Sequence, residues 1–167
     1  MILPAQMSHI PDLAKLINSA YRGEASKKGW TTEADLLDGE IRTDEESLKE
    51  LMEAGTFLIY TEANKLHGCV YLEKQGGKLY LGMLSVSPDV QARGIGSKLL
   101  AASEDYAMEE NCNSIMMNVI SRREELINWY ERHGYKRAGT IKPFPSDNKF
   151  GTPVMPLEFI ELEKILA

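Results

Sequence analysis

Ile10, Leu13, Leu16 and Ile17 recur at three- and four-residue spacing, the period of one helical face, and Ser8 stands where a cap belongs. Residues 8–22 are therefore expected to form an amphipathic helix that ends in the run from Gly23 to Gly29. The polar stretch 31–50 also reads as helical but interrupted: Gly39 breaks it, Thr43 or Asp44 can cap a second piece reaching about Ala54, and Gly55 closes that piece. From Thr56 the pattern changes to short β-branched and aromatic runs at 56–61, 66–74 and 79–87, separated by Glu-Ala-Asn-Lys and Gln-Gly-Gly, which predicts an antiparallel meander. A helix over 94–110, a strand over 114–120, a helix over 122–133 stopped by Gly134, and strands over 135–141 and 157–164 complete the pattern.

Helices, a meander, then strand and helix in alternation make a mixed α/β domain: a mostly antiparallel central sheet of about six to seven strands with helices on both faces. The strand ending at Ser87, the helix after it and the strand over 114–120 form a natural right-handed crossover, so those two strands are expected to run parallel. Ligands tend to bind at the carboxyl ends of such strands. With 167 residues, 43% hydrophobic and 26% charged, residues 1–167 read as a single folded domain, and disorder and coiled coil are disfavoured.

Charge adds one local feature. The chain carries a formal −6, which argues against general affinity for nucleic acid or an anionic membrane. All of it resides in residues 31–50, with eight acids against two bases, so the remainder is formally neutral. The longest apolar runs are far shorter than the roughly 18 to 20 residues that cross a bilayer, and the start Met1-Ile2-Leu3-Pro4 lacks the basic flank of an export signal. Cys69 and Cys112 form no CxxC and only three His are present, so neither a disulfide framework nor a metal site is expected. A reducing, cytoplasmic setting fits that cysteine usage.

The most informative stretch is Leu84-Ser85-Val86-Ser87-Pro88-Asp89-Val90-Gln91-Ala92-Arg93-Gly94-Ile95-Gly96-Ser97, which joins a strand to a helix. Gly94 and Gly96 permit a sharp turn and close approach of backbone to ligand, while the first helical turn directs N–H groups outward as anion donors. Arg93, Ser97 and Lys98 add side-chain donors. A P-loop spacing is absent, and Leu99 stands where a dinucleotide fingerprint needs its third glycine.

Gln91-Ala92-Arg93-Gly94-Ile95-Gly96 resembles the pyrophosphate loop of the GCN5-related N-acetyltransferase (GNAT) superfamily. The segment Tyr130-Glu131-Arg132-His133-Gly134-Tyr135, about 35 residues on, is similar to that family's second signature. The resemblance runs from about Thr56 to Gly139. It implies the acyl-CoA N-acyltransferase fold, with acetyl-CoA as donor, no metal, and backbone groups of Leu84, Ser85 and Val86 meeting the pantetheine arm. Gln91, Ala92, Arg93, Gly94, Ile95, Gly96 and Ser97 would bind the pyrophosphate, and Tyr130 would protonate the leaving thiolate. Many relatives carry an Asn where this chain has Arg122-Arg123, and Asn128 or Arg123 stands in for it. The Glu base of histone-directed relatives falls on Tyr80, so the base is left to Glu24, Glu33, Asp35, Glu158 or water. A non-catalytic acyl-CoA-binding module is the alternative reading.

The acceptor is expected to be the primary amine of a small molecule or peptide. The acidic segment favours a cationic amine slightly, while Arg22 and Arg42 read equally as anchors for a carboxylate. Tyr21, Trp30, Phe144 and Phe150 are candidates to wall the pocket. The loop 143–151 reads as a lid, a homodimer contact or a plain connection.

Overall fold

The computed structural model describes residues 1–21, 37–38, 42–143, 152–153 and 157–166, the side chains of 37–38, 91–93 and 152–153 excepted. The meander forms as the hydrophobic pattern predicts: β3 (Thr56–Glu62), β4 (Lys65–Gln75) and β5 (Lys78–Val86) pair antiparallel in sequence. The N-terminal β1 (Ile2–Pro4) adds to the outer edge of β3. Beyond β5 the sheet continues through β6 (Ser114–Ile120) and β9 (Glu158–Ile165) to β7 (Lys136–Pro143). The resulting seven-stranded order is β1-β3-β4-β5-β6-β9-β7, with only β5 and β6 parallel. A separate two-stranded bridge joins β2 (Leu37–Asp38) to β8 (Thr152–Pro153).

Two cores, one on each face, explain why the strands read as continuous apolar runs rather than as alternating ones. Phe57, Ile59, Cys69 and Tyr71 turn toward α1 (Ile10–Tyr21) and α2 (Glu45–Ala54). Their neighbours Leu58, Tyr60, Val70 and Leu72 turn toward α3 (Ile95–Glu109) and α4 (Glu124–Arg132). Gly68 lets α3 lie close on β4, since a Cβ there would stand 2.9 Å from Ile95 Cγ2 and 3.0 Å from Leu99 Cδ1.

Two local expectations are revised. Ser8 does not cap α1; it lies inside a 3-10 turn, Met7–His9, whose entry is held by the Gln6 N–H donating to His9 Nδ1 at 2.9 Å. Leu37–Asp38 is strand, not helix, because pairing with a distant segment next to the helix-breaking Gly39 outweighs local propensity. The rest of the expected first acidic helix, and the Gly23-to-Gly29 run, lie outside the described residues.

The second acidic piece forms as expected. Asp44 caps α2, its Oδ1 accepting from the Ser47 N–H at 2.7 Å, and Leu48 of that helix is fully buried. Replacing Asp44 by Ala should cost about 1 kcal/mol and lower the melting midpoint by roughly 2–4 °C. Asp44→Asn should retain most of that stability; thermal unfolding of the two variants checks both outcomes.

Candidate active site

The site begins with an extra residue in β5. Opposite β4 the register steps from Cys69↔Ser85 to Tyr71↔Gly82, so Met83 and Leu84 together oppose Val70, and Met83 takes φ +50°. This bulge reverses the inside-outside parity of the strand: Leu79 and Leu81 before it, and Leu84 and Val86 after it, all enter the α3 core. Pairing of β5 with β6 covers only Lys78↔Ser114 to Tyr80↔Met116. Past those three pairs the strands part. The closed end is fastened by Glu163 of β9, which lies 2.9 Å from Lys78 Nζ and accepts from Ser114 Oγ at 2.8 Å. Those bonds from Lys78 and Ser114 hold the Glu163 carboxyl below its ordinary range.

Between the parted strands lies a cleft of about 170 Å³, walled by Leu81–Leu84 on one side and Met117–Ile120 on the other. Tyr130 of α4 reaches it, as do Tyr21, Arg42, Tyr80, Arg123 and Phe159. Burial pushes the Tyr130 phenol well above the ordinary tyrosine range, Tyr21 adds to that rise, and Arg123 opposes it. The hydroxyl therefore stays protonated at neutral pH and keeps a proton to donate. Tyr80 is raised for the same first reason, with Arg42 opposing. Asn118 Oδ1 is buried in the cleft wall with no hydrogen-bond partner among the described residues.

At the outer end of β5 a 3-10 segment, Pro88–Arg93, leads into α3. Gly94 joins them at φ +73°, ψ 17°, a left-handed conformation that a side chain would strain. The first intrahelical N–H is that of Lys98, donating to Gly94 O at 3.2 Å. Ile95, Gly96 and Ser97 thus present the amide N–H groups that a helix's first turn leaves without internal carbonyl partners. Ser97 is exposed, and its Oγ lies 3.0 Å from His133 Nε2. Together a strand edge, a helix N-terminus and a buried phenol can hold an extended amide-bearing chain with an anion at one end and a reacting group at the other.

The sequence profile of the Acetyltransferase (GNAT) family matches residues 11–135. The chain belongs to that family. It has the mixed α/β fold of that family. The chain is 27% identical over 88 residues to Acetyltransferase Atu2258 of Agrobacterium fabrum, covering 53% of this chain and 63% of that protein. It is also 27% identical over 154 residues to the mycothiol acetyltransferase of Renibacterium salmoninarum, covering 80% of this chain but only 41% of that protein. Among solved structures, the ribosomal-protein-S18-alanine N-acetyltransferase of Escherichia coli superposes with a TM-score of 0.74 at 16% identity, over 100% of this chain and 94% of that one. YncA of Salmonella typhimurium, solved with its cofactor acetyl-CoA, superposes with a TM-score of 0.72 at 15% identity, over 100% and 94% of the two chains.

Of the residues expected to bind the donor, Leu84, Ser85 and Val86 lie on the parted stretch of β5, and Gly94, Ile95, Gly96 and Ser97 form the entry to α3. Gln91, Ala92 and Arg93 belong by their backbone to the preceding 3-10 segment. Asn128 stands apart, on the exposed face of α4 beside Glu125, Trp129 and Arg132; of the two substitutes for the family's Asn, Arg123 is the one in the cleft. Glu158 is exposed at the start of β9 and does not line the cleft. Arg22, Glu24, Trp30, Glu33, Asp35, Phe144 and Phe150 lie outside the described residues.

Sequence reasoning missed the Met83 bulge and Asn118. Each had a signal: a glycine, Gly82, inside a strand pattern, and one polar residue amid the apolar run Ile-Met-Met-Asn-Val-Ile. Cys69 is buried behind the bulge and donates to Met83 O at 3.6 Å. Burial pushes its thiol up to about 12. At pH 8 only about one thiol in ten thousand would then be ionised. Cys69 should therefore resist a thiol reagent in the native protein and react at once in denaturant, which mass mapping of the labelled cysteine measures.

Proposed function

We propose that this GNAT-family enzyme moves acetyl from acetyl-CoA to the primary amine of a small molecule or peptide by direct attack in a ternary complex, residues 1–167 acting as one catalytic domain. The observation that carries this reading is the parted β5/β6 pair with an anion-binding helix entry at its mouth and a buried phenol inside. The backbone of Leu84–Val86 would pair with the amides of the pantetheine arm, much as an added strand does. The diphosphate would lie against the amides of Gly94–Ser97 and the turn that contains Gln91, Ala92 and Arg93.

The reaction balances without an external oxidant or base of fixed identity. An alkylammonium, with pKa about 10.4, first releases a proton through water to solvent. Its nitrogen then attacks the thioester carbonyl; a C–N bond forms, the C–S bond breaks, and sulfur leaves with the electron pair. The second amine proton ends on sulfur, so the products are an N-acetyl amide and free CoA thiol. Tyr130 relays it: the phenol hydrogen-bonds the sulfur and gives it a proton, and the second amine proton replaces that proton on the phenol. Desolvation raises the basicity of a thiolate in the same cleft as it raises that of the phenolate. Two reduced cysteines and this cofactor fit a cytoplasmic setting.

The test is release of CoA thiol from acetyl-CoA across a panel of amines, with N-terminal peptides included. Turnover with at least one amine is expected, and tight CoA binding without turnover on any amine would overturn the reading in favour of a binding module. In the same assay Tyr130→Phe should lower kcat by about 10²-fold or more while leaving the KM for acetyl-CoA within about a factor of two. Equal losses in both would remove Tyr130 from the proton-transfer role.

A further inference from the structure

Met117 and Val119 of β6 enter the core beneath α3 and α4, so Asn118 between them turns to the opposite face of the sheet. That is the face on which Tyr80 and Met83 of β5 meet the α1 core. The amide oxygen of Asn118 is buried there and accepts no hydrogen bond among the described residues. Donors stand near: Tyr21, Arg42, Tyr80, Arg123 and Tyr130 line the same cleft, yet none of them bonds this oxygen. The cross-strand neighbour on β9 is Glu161, whose carboxylate lies 4.0 Å from Lys142 Nζ and offers Asn118 another acceptor rather than a donor. On the β5 side, continuing the register of Tyr80↔Met116 by two residues would set Gly82 opposite Asn118, and a glycine has no side chain to answer it.

A buried acceptor left without a donor costs a folded protein free energy, and one kept in a reaction cleft calls for a ligand that brings the missing N–H. The thioester brings none, since its carbonyl and its sulfur are acceptors. The amides of the pantetheine arm are met, on the reading above, by the backbone of Leu84–Val86. What remains is the attacking nitrogen. Tyr130 belongs to the core beneath α4, so its phenol and the Asn118 amide flank the gap from opposite faces of the sheet. A nitrogen that attacks between them can direct one N–H to each.

We propose that Asn118 Oδ1 accepts the N–H that the acceptor nitrogen keeps, and that this bond restricts the enzyme to primary amines. This rests on the acetyltransferase reading above and names what selects its acceptor. A primary ammonium carries three N–H bonds. One proton goes to water before attack; a second reaches sulfur by way of Tyr130 as the C–N bond forms and the C–S bond breaks. The third stays on nitrogen in the N-acetyl product, held by Asn118. A secondary amine has one fewer. Once its protons have gone to water and to Tyr130, it turns an alkyl group toward Oδ1 and leaves that oxygen buried and unpaired as the amide forms. A side-chain amide takes up no proton, so Asn118 orients the nitrogen and is not its base.

The experiment is thiol release by the full chain from acetyl-CoA, with each primary amine of a panel set against its own N-methyl derivative. A primary amine that is turned over should exceed that derivative in kcat/KM by about 10²-fold or more. Asn118→Leu keeps the bulk of the side chain without the acceptor. It should lower kcat/KM for the primary amine by about 10²-fold and leave the N-methyl derivative within about threefold, so that the ratio falls to near one. The KM for acetyl-CoA should not move, and the melting midpoint should be no lower than that of the wild type, since an unpaired buried oxygen has been removed. A ratio preserved in Asn118→Leu makes the discrimination steric and overturns the proposal; so does a raised KM for acetyl-CoA, which would assign the amide to the donor. Should that variant fail to fold, Asn118→Ala must show the same loss with the primary amine. N-methyl amines used by the wild type as well as primary ones overturn selection by Asn118 and leave acetyl transfer standing. No thiol release with any amine overturns acetyl transfer and the selection together.

Discussion

A backbone N–H or C=O taken from water must find a partner, and this rule gives the parting of β5 and β6 its meaning. Three residue pairs hold the two parallel strands together, after which the strand edges face a gap rather than each other. The bulge at Met83 and Leu84 makes the separation structural: an extra residue raises the local twist of β5, and the flanking leucines must enter the same core on opposite parity. Some of the exposed edge is satisfied internally, as where Tyr21 donates to Leu84 O. The remainder is a short template for any ligand built from amides.

Formal charge says little about this site, because its sign is set by residues 31–50, of which only Arg42 among the described residues lines the cleft. The chain is acidic overall, yet the entry to α3 and the inner end of the cleft each gather positively polarised or charged groups, for unrelated reasons. At the entry to α3 the cause is main-chain geometry: Gly94 in a left-handed conformation turns the first-turn amides outward. At the other end it is the meeting of Arg42 and Arg123 over Tyr21. Between them lies the neutral, buried hydroxyl of Tyr130.

The meander, the crossover and the helices were legible because each rests on local periodicity, and β6 agrees with its expected bounds residue for residue. Local chemistry also made Asp44 and the Gly94 turn readable. The start of α1 was misjudged because a 3-10 turn held by His9 satisfies the entry that Ser8 seemed placed to cap. Leu37–Asp38 was read as helix because its strand partner is more than a hundred residues away. Long-range contact likewise hid the meeting of Arg42 and Arg123 at Tyr21: each had individual signals, but only the fold brings both to that ring. Sequence pattern sees one element at a time, and a cleft is a property of several.

One further contact shows how the fold keeps its two ends in register. A carbonyl oxygen can only accept, so the 2.8 Å contact between His133 Nδ1 and Trp129 O assigns the proton to Nδ1. In the neutral ring Nε2 is then an acceptor, and the Ser97 hydroxyl donates to it across 3.0 Å. Lys164 of β9 closes the group by donating to His133 O at 2.9 Å while pairing with Glu104 of α3. The first turn of α3, the last turn of α4 and β9 are thus joined at one histidine. Since Tyr130 lies one turn before it on α4, the first-turn amides of α3 and the phenol share a single mount, and displacement of either helix end would disturb both.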